Sequence, residues 1–291
     1  NRVYLSLSIG ATALAVKEPW FLSATGRPMR IILVVHGYPP THTAGAELRA
    51  ERTARNLARR QHQVMVLCVE KISGNPDNRQ ISEEMQDGVL VQRLVISYSQ
   101  GKEQHREQFR ERYHNPQVDA ALAQAIATWK PDMIHLFSGY LMGMGVIETA
   151  RTHTVPVIVS LTDYWWLCHR INLVRADGER CAGPHPYGCA RCAINVRRMF
   201  RLPDQAFGPL SDSVWQLLES RQLLHSKLHV EEHELRQRLL RDTLNKADLL
   251  ISPSRYLAGI YVEHGIDGAL IQVLRQGVDR DSFPIRREDS T

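Results

Sequence analysis

The chain has 291 residues, 43% hydrophobic and 23% charged, a composition that supports a sizeable globular core and excludes a disordered chain. Its net charge of +5 and pI near 9.0 favour anionic partners such as nucleotide phosphates, lipid head groups or nucleic acid. Five cysteines are too few for a secreted disulfide scaffold of this length, and no stretch is long and apolar enough for a transmembrane helix.

Residues 1–28 read as an upstream extension outside the core. Residues 3–16 are mildly apolar but too short to span a bilayer, and serines and Gly10 interrupt them. They lack a charged start and a cleavage site after a strong apolar core, which argues against a signal peptide. The regular pattern begins at Met29. Residues 31–35 form an apolar run without polar alternation, the mark of a strand buried on both faces. A turn-rich loop, HGYPPTHTAG, closes on Gly45 with His36 and His42 along it. The helix that follows places Ala46, Ala50, Ala54, Leu57 and Ala58 on one side, and its free N–H groups favour a phosphate or carboxylate over Gly45. The loop is neither GxGxxG nor Walker A, which argues against dinucleotide and P-loop chemistry.

Residues 64–69 form a second strand, 71–88 a polar loop and 89–96 a third strand. Residues 102–129 read as one helix, 133–137 as a strand ending in Ser138 and Gly139, and 141–152 as a helix. Residues 155–161 form a strand ending at Thr162 and Asp163. From 165 to about 203 the regularity breaks into a cysteine-bearing insertion, followed by a long mixed-charge helix over 211–246 whose charges form a solvated face. Alternation resumes with strands at 249–252 and 270–274 around a helix over 255–264. Ser254 is its natural N-cap, and Gly277 suits a left-handed turn. Strands alternating with helices at these spacings predict a doubly wound parallel α/β sheet. The loops after residues 35, 137 and 161 then gather at one edge, where ligands bind in such sheets.

Cys68 sits in an apolar strand and reads as a core thiol. Cys168, Cys181, Cys189 and Cys192 fall within 25 residues, in a stretch rich in glycine and proline that needs a staple. Their spacing is not that of a standard zinc ribbon. It leaves three alternatives: a metal site, free thiols or disulfides. Zinc is the first choice of metal and an iron–sulfur cluster the second, and four thiolates would make the site structural. Just beyond, Arg191, Arg197, Arg198 and Arg201 alternate with Ile194, Val196, Met199 and Phe200. This is either a peripheral membrane or polyanion contact, or a packed and solvated short helix.

The segments HGYPPTHTAGAE, RQHQV, PDMIH, VPVIVSLTDYWWLC, ADLLISPSRYLAGIY and RQGVD, in this order and spacing, resemble the N-terminal domain of family-four glycosyltransferases of the GT-B fold. The resemblance runs from Met29 to about Pro284. It implies a Rossmann-like acceptor domain over residues 29–285, with 286–291 as the start of an interdomain linker. The C-terminal domain, which would hold the nucleotide sugar, would lie beyond this chain. The implied activity is retaining transfer of a sugar from a nucleotide diphosphate to a glycan, lipid or small-molecule acceptor, in the cytoplasm or at the inner membrane face. This half alone should be nearly inactive.

By the same resemblance, Gly45 matches the second glycine of a Gly-Gly loop that meets the donor phosphate or sugar, with Ala44 in place of the first. Thr162 and Asp163 fall where many relatives have His-Asp, so a histidine's role there lapses. Asp163 either accepts a hydrogen bond from an acceptor hydroxyl or caps the next turn. His36, Ser138, Gly139 and Arg255 complete the expected substrate-binding set. Two other classes compete: a non-catalytic module for glycan, lipid or protein, and a cysteine-knuckle nucleic-acid binder. The latter lacks a clustered basic and aromatic surface.

Overall fold

The computed structural model describes residues 27–73, 80–98, 105–175 and 177–277. The expected extension, apart from its last two residues, and the expected linker lie outside them. Strands β1 (Arg30–Val35), β2 (Gln63–Ser73), β3 (Gln80–Gln86), β4 (Val89–Ser97), β5 (Met133–Leu136), β6 (Val157–Ser160), β7 (Leu249–Ser252) and β8 (Ile271–Val273) form one sheet in the order β3-β4-β2-β1-β5-β6-β7-β8. Every neighbouring pair is parallel except β3 with β4. The helices are α1 (Gly45–Arg59), α2 (His105–Glu111), α3 (Pro116–Trp129), α4 (Gly145–Thr152), α5 (Pro186–Ile194), α6 (Arg198–Ala206), α7 (Gly208–Ser220), α8 (Val230–Leu244) and α9 (Arg255–Glu263).

Alternation along β1 divides the core in two. Ile32 and Val34 pack with Met65, Leu67 and Ile96 beneath α3, α4, α8 and α9. Ile31, Leu33 and Val35 pack with Val64, Val66 and Val91 beneath Ala50 and Ala54 of α1. Burying each aliphatic side chain contributes about 1.5–3 kcal/mol over exposure. With both faces of β1 covered, the expected doubly wound α/β sheet is the fold observed.

Four expectations change. Part of the expected loop at 71–88 is β3, an edge strand that leaves Ile81 and Met85 exposed and pairs by charge and amide rather than burial. Glu84 meets Arg93 at 2.8 Å, and Gln92 donates to Glu83 at 2.6 Å; charged edges of this kind resist further strand pairing. The single helix at 102–129 is two, because Pro116 starts α3 and the Asn115 side chain caps it, accepting from Gln117 N at 3.0 Å. The long helix at 211–246 is also two, separated by a turn with Gln222, Leu224 and His229 at positive φ. Only α8 of the pair buries side chains, so no continuous apolar stripe holds the two in line. Gly277 does not take a left-handed φ, and the rest of its turn lies outside the described residues.

Burial, reinforced by the Arg49 guanidinium, lowers His135 to about 3. Burial, with Arg236 and His229 outweighing Glu232, lowers His233 to about 4. Both rings are neutral in the fold, whereas in an unfolded chain they titrate near ~6.5. Their folded pKa values are depressed, so their stability contribution is complete above ~6.5 and is lost as pH falls toward the folded values. The loss is at most about 1.4 kcal/mol per pH unit for each ring. Urea unfolding between about pH 7.5 and 5 should show this decline, and His135→Asn should make it shallower; an unchanged slope in the variant would contradict the assignment.

Candidate functional site

Strands β1, β5 and β6 deliver their following loops to one edge of the sheet. The loop after β1 is fixed from β4: buried Arg93 donates to the carbonyls of Pro39 at 2.6 Å and Tyr38 at 3.2 Å. It also pairs with Glu70 at 3.2 Å. Gly37 is needed because an added Cβ would lie 2.7 Å from the His42 side chain. The His42 ring is held by the Glu70 carbonyl at 2.9 Å, so this histidine serves the loop.

Helix α1 starts at Gly45, which is exposed, with nothing within 4 Å of where a Cβ would stand. Its N-cap, Ala44, has no side-chain acceptor for the free N–H groups. Glu47, in the first turn, points inward and is 4% exposed, with Oε1 3.1 Å from His36 Nε2. The Tyr140 ring meets His36 edge-on at 5.3 Å between centroids. Burial lowers the His36 pKa against the opposing pull of Glu47 and Asp163. Arg49 lies over the Phe137 ring at 5.8 Å, and burial lowers its pKa as well. Three buried polar atoms here have no hydrogen-bond partner: His36 Nδ1, Glu47 Oε2 and Arg49 Nη1. Unsatisfied buried polar atoms are costly, and a cluster at a ligand-binding edge marks a place where a polar ligand would repay that cost.

Asp163 faces this group across the edge. Its Oδ1 accepts from Trp165 N at 2.8 Å, so it does cap the following turn. Its Oδ2 accepts from Ser138 Oγ at 3.4 Å and lies 3.5 Å from Thr162 Oγ1. Burial raises its pKa, opposed by the Trp165 amide and by His36. Tyr261 of α9 donates to the Asp163 carbonyl at 2.7 Å and so anchors the loop from behind. Gly139 has no room for a side chain, because a Cβ would lie 2.2 Å from the Trp165 ring.

His36, Ser138, Gly139, Thr162 and Asp163 therefore come together, with Gly45 two residues before Glu47. Arg255 is exposed at the start of α9, and no hydrogen bond or ion pair joins it to the group. Ser254 caps α9, accepting from Leu257 N at 3.1 Å. Sequence reasoning missed Glu47, Arg49 and Tyr140. The available signal was polar residues in the first turn after a glycine-bearing loop, a place where helix N–H groups and side chains meet ligands together.

Cys168, Cys181, Cys189 and Cys192 line one cavity of about 280 Å³. Cys168, Cys181 and Cys189 form no disulfide among the described residues. As it stands, no group of three or more His, Cys, Asp or Glu among the described residues is arranged to hold a metal ion.

The polar cluster in which the end of β1 and the first turn of α1 face the loops after β5 and β6 lies at the edge where open α/β sheets bind ligands, and is the candidate site. Residues 44–277 match the family described as Glycosyl transferase 4-like domain, and the chain belongs to that family. No curated protein matches the sequence. Similar solved structures include Anabaena Alr3699/HepE in complex with UDP and glucose, 13% identical, TM-score 0.42, covering 87% of this chain and 46% of that one. Another is an α,α-trehalose-phosphate synthase (UDP-forming) from Burkholderia xenovorans in complex with glucose-6-phosphate, 14% identical, TM-score 0.41, covering 80% and 42%. The same synthase from Burkholderia vietnamiensis is 12% identical, TM-score 0.45, covering 88% and 50%. The chain spans half or less of each of these proteins.

Two glycines at this edge differ in what they require. Gly139→Ala must displace Trp165 and should cost about 1–3 kcal/mol, whereas Gly45→Ala enters open space and should leave Tm unchanged or slightly higher. Differential scanning fluorimetry compares them directly, and equal Tm values would contradict the placement of Gly139.

Proposed function

We propose that residues 29–285 form the acceptor-side half of a retaining glycosyltransferase, working with a donor-binding C-terminal domain of the full-length protein. The reaction moves a sugar from a nucleoside diphosphate to a glycan, lipid or small-molecule acceptor. The observation that carries this reading is the set of unpaired polar atoms on His36, Glu47 and Arg49 facing Asp163 at the sheet edge. With His36 neutral, its imidazole proton sits on Nε2 and is donated to Glu47 Oε1. His36 Nδ1 then accepts from one sugar hydroxyl, Glu47 Oε2 accepts from another, and Asp163 receives the acceptor hydroxyl. Arg49 and the N–H groups after Ala44 face the negative charge that grows on the departing diphosphate. Catalysis rests on positioning and charge stabilisation, much of it from the donor domain, so this half alone turns over slowly. The four cysteines, as ligands of a zinc ion, would support the fold and take no part in transfer.

Exposed Met199, Phe200 and Leu202 on α6, Phe207 between α6 and α7, and Leu210 on α7, beside exposed Arg197 and Arg198, support seating on an anionic membrane at its cytoplasmic face. A lipid-linked acceptor would be met there. Co-sedimentation with anionic vesicles should fall several-fold in Met199→Asp with Phe207→Asp; equal binding of variant and parent would remove the membrane from the proposal.

For transfer itself, the full-length protein incubated with UDP-, GDP- and ADP-sugars should release nucleoside diphosphate from one of them. Glu47→Gln should lower turnover by about 10²-fold or more with little change in Tm. Wild-type turnover in both Glu47→Gln and Asp163→Asn would reject this site, and glycan binding without release from any donor would favour a binding module.

A further inference from the structure

Behind the candidate site, the chain between β6 and α8 has little apolar core of its own. Trp165, Trp166 and Leu167 at its start join the main core, and beyond them its own cluster of buried residues is Tyr187 and Ala190 closed by Val230 of α8, with Leu218 and Leu228 at the margin. A segment so poor in core needs a covalent or metal staple to hold one conformation. The four cysteines offer one, since all line a single cavity although they are spread over residues 168–192. Cys189 and Cys192 lie three apart on α5, hence on one face of the helix.

Two hydrogen-bond donors point at these sulfurs, while Cys181 Sγ itself donates to the Gly183 carbonyl at 3.2 Å in the thiol form. The Arg170 amide donates to Cys168 Sγ at 3.3 Å, and Gln237 Nε2 of α8 donates to Cys189 Sγ at 3.4 Å. His169 also lines the cavity, and its buried Nε2 has no hydrogen-bond partner. Most telling is Arg236 of α8, which is 5% exposed. It donates to the Trp165 carbonyl at 2.6 Å and stacks on the Trp165 ring. Among the described residues no carboxylate pairs with it, and the groups that favour its charge include Cys168 and Cys189. A buried cation without an anion is expensive. Four thiolates around one divalent ion carry a net charge of −2 and would supply the missing anion.

We propose that Cys168, Cys181, Cys189 and Cys192 bind one zinc ion as a structural tetrathiolate site, with Arg236 as its buried counter-charge. Zinc suits four sulfur donors, each at about 2.3 Å, in a tetrahedral set without an open position. The sulfurs must turn further into the cavity, because as placed they do not form a ligating group. Binding converts four thiols and Zn²⁺ into a zinc tetrathiolate and four protons, so affinity falls as pH falls. Cys168 is also hydrogen-bonded through its amide to the Tyr164 carbonyl at 2.7 Å, within the turn that Asp163 caps. The ion would thus brace the loop that carries Asp163, whose carbonyl Tyr261 also holds.

Elemental analysis of the purified protein should give one zinc per chain, and loading with Co²⁺ should give a thiolate-to-cobalt charge-transfer band with tetrahedral d–d bands. Cys189→Ser and Cys192→Ser should each lose most of the metal, while Cys68→Ser, in β2 and outside the cavity, should keep it. If the cavity variants fold poorly, the cobalt spectrum of the unaltered chain still decides. Metal-free protein whose Tm does not respond to zinc, disulfides among these cysteines by mass spectrometry, or iron in place of zinc would each overturn the proposal. None of these results bears on whether the sheet edge transfers sugar.

Discussion

Parallel pairing of β1 with β2 on one side and β5 on the other is the constraint from which the rest follows. It forces β1 to be buried on both faces, and its alternating side chains build two separate cores. It also sends the chain ends of β1, β5 and β6 to the same edge, because parallel strands share one direction. Hairpins would have scattered those loops over two edges. His36, Ser138 and Asp163 belong to distant parts of the sequence and meet only because three parallel neighbours stop together.

At that edge, loop rigidity comes from polar groups behind the site rather than from the groups that face outward. Arg93 grips the Tyr38 and Pro39 carbonyls, Tyr261 grips the Asp163 carbonyl, and Trp165 fills the space over Gly139. These supports leave His36 Nδ1, Glu47 Oε2 and Arg49 Nη1 buried and unpaired. A structure selected only for stability would pair or remove such atoms. On the proposed reading, these atoms are held in place for a ligand.

The strands were legible because a parallel strand covered on both faces is a plain apolar run, as residues 31–35 are. β3 was not, because an edge strand needs no apolar pattern and QISEEMQ is paired through Glu83 and Glu84. The break at Pro116 follows from local chemistry, whereas the turn between α7 and α8 depends on which helix finds a core to cover. Family resemblance and sheet topology together put Gly45, Thr162 and Asp163 at the sheet edge where the loops after β1 and β6 do lie. Glu47 and Arg49 were hidden because a charged residue in a first helical turn usually faces water, and only the packing against Phe137 and His36 shows that these two do not. Arg255 illustrates the converse: it occupies a motif position, yet it points its charge to solvent outside the group.

The most direct test of the central claim is a crystal structure of the full-length protein with a nucleotide sugar and an acceptor sugar. The account predicts sugar hydroxyls within hydrogen-bond distance of His36 Nδ1 and Glu47 Oε2, with the acceptor at Asp163. Ligand bound elsewhere, with those atoms still unpaired, would contradict it.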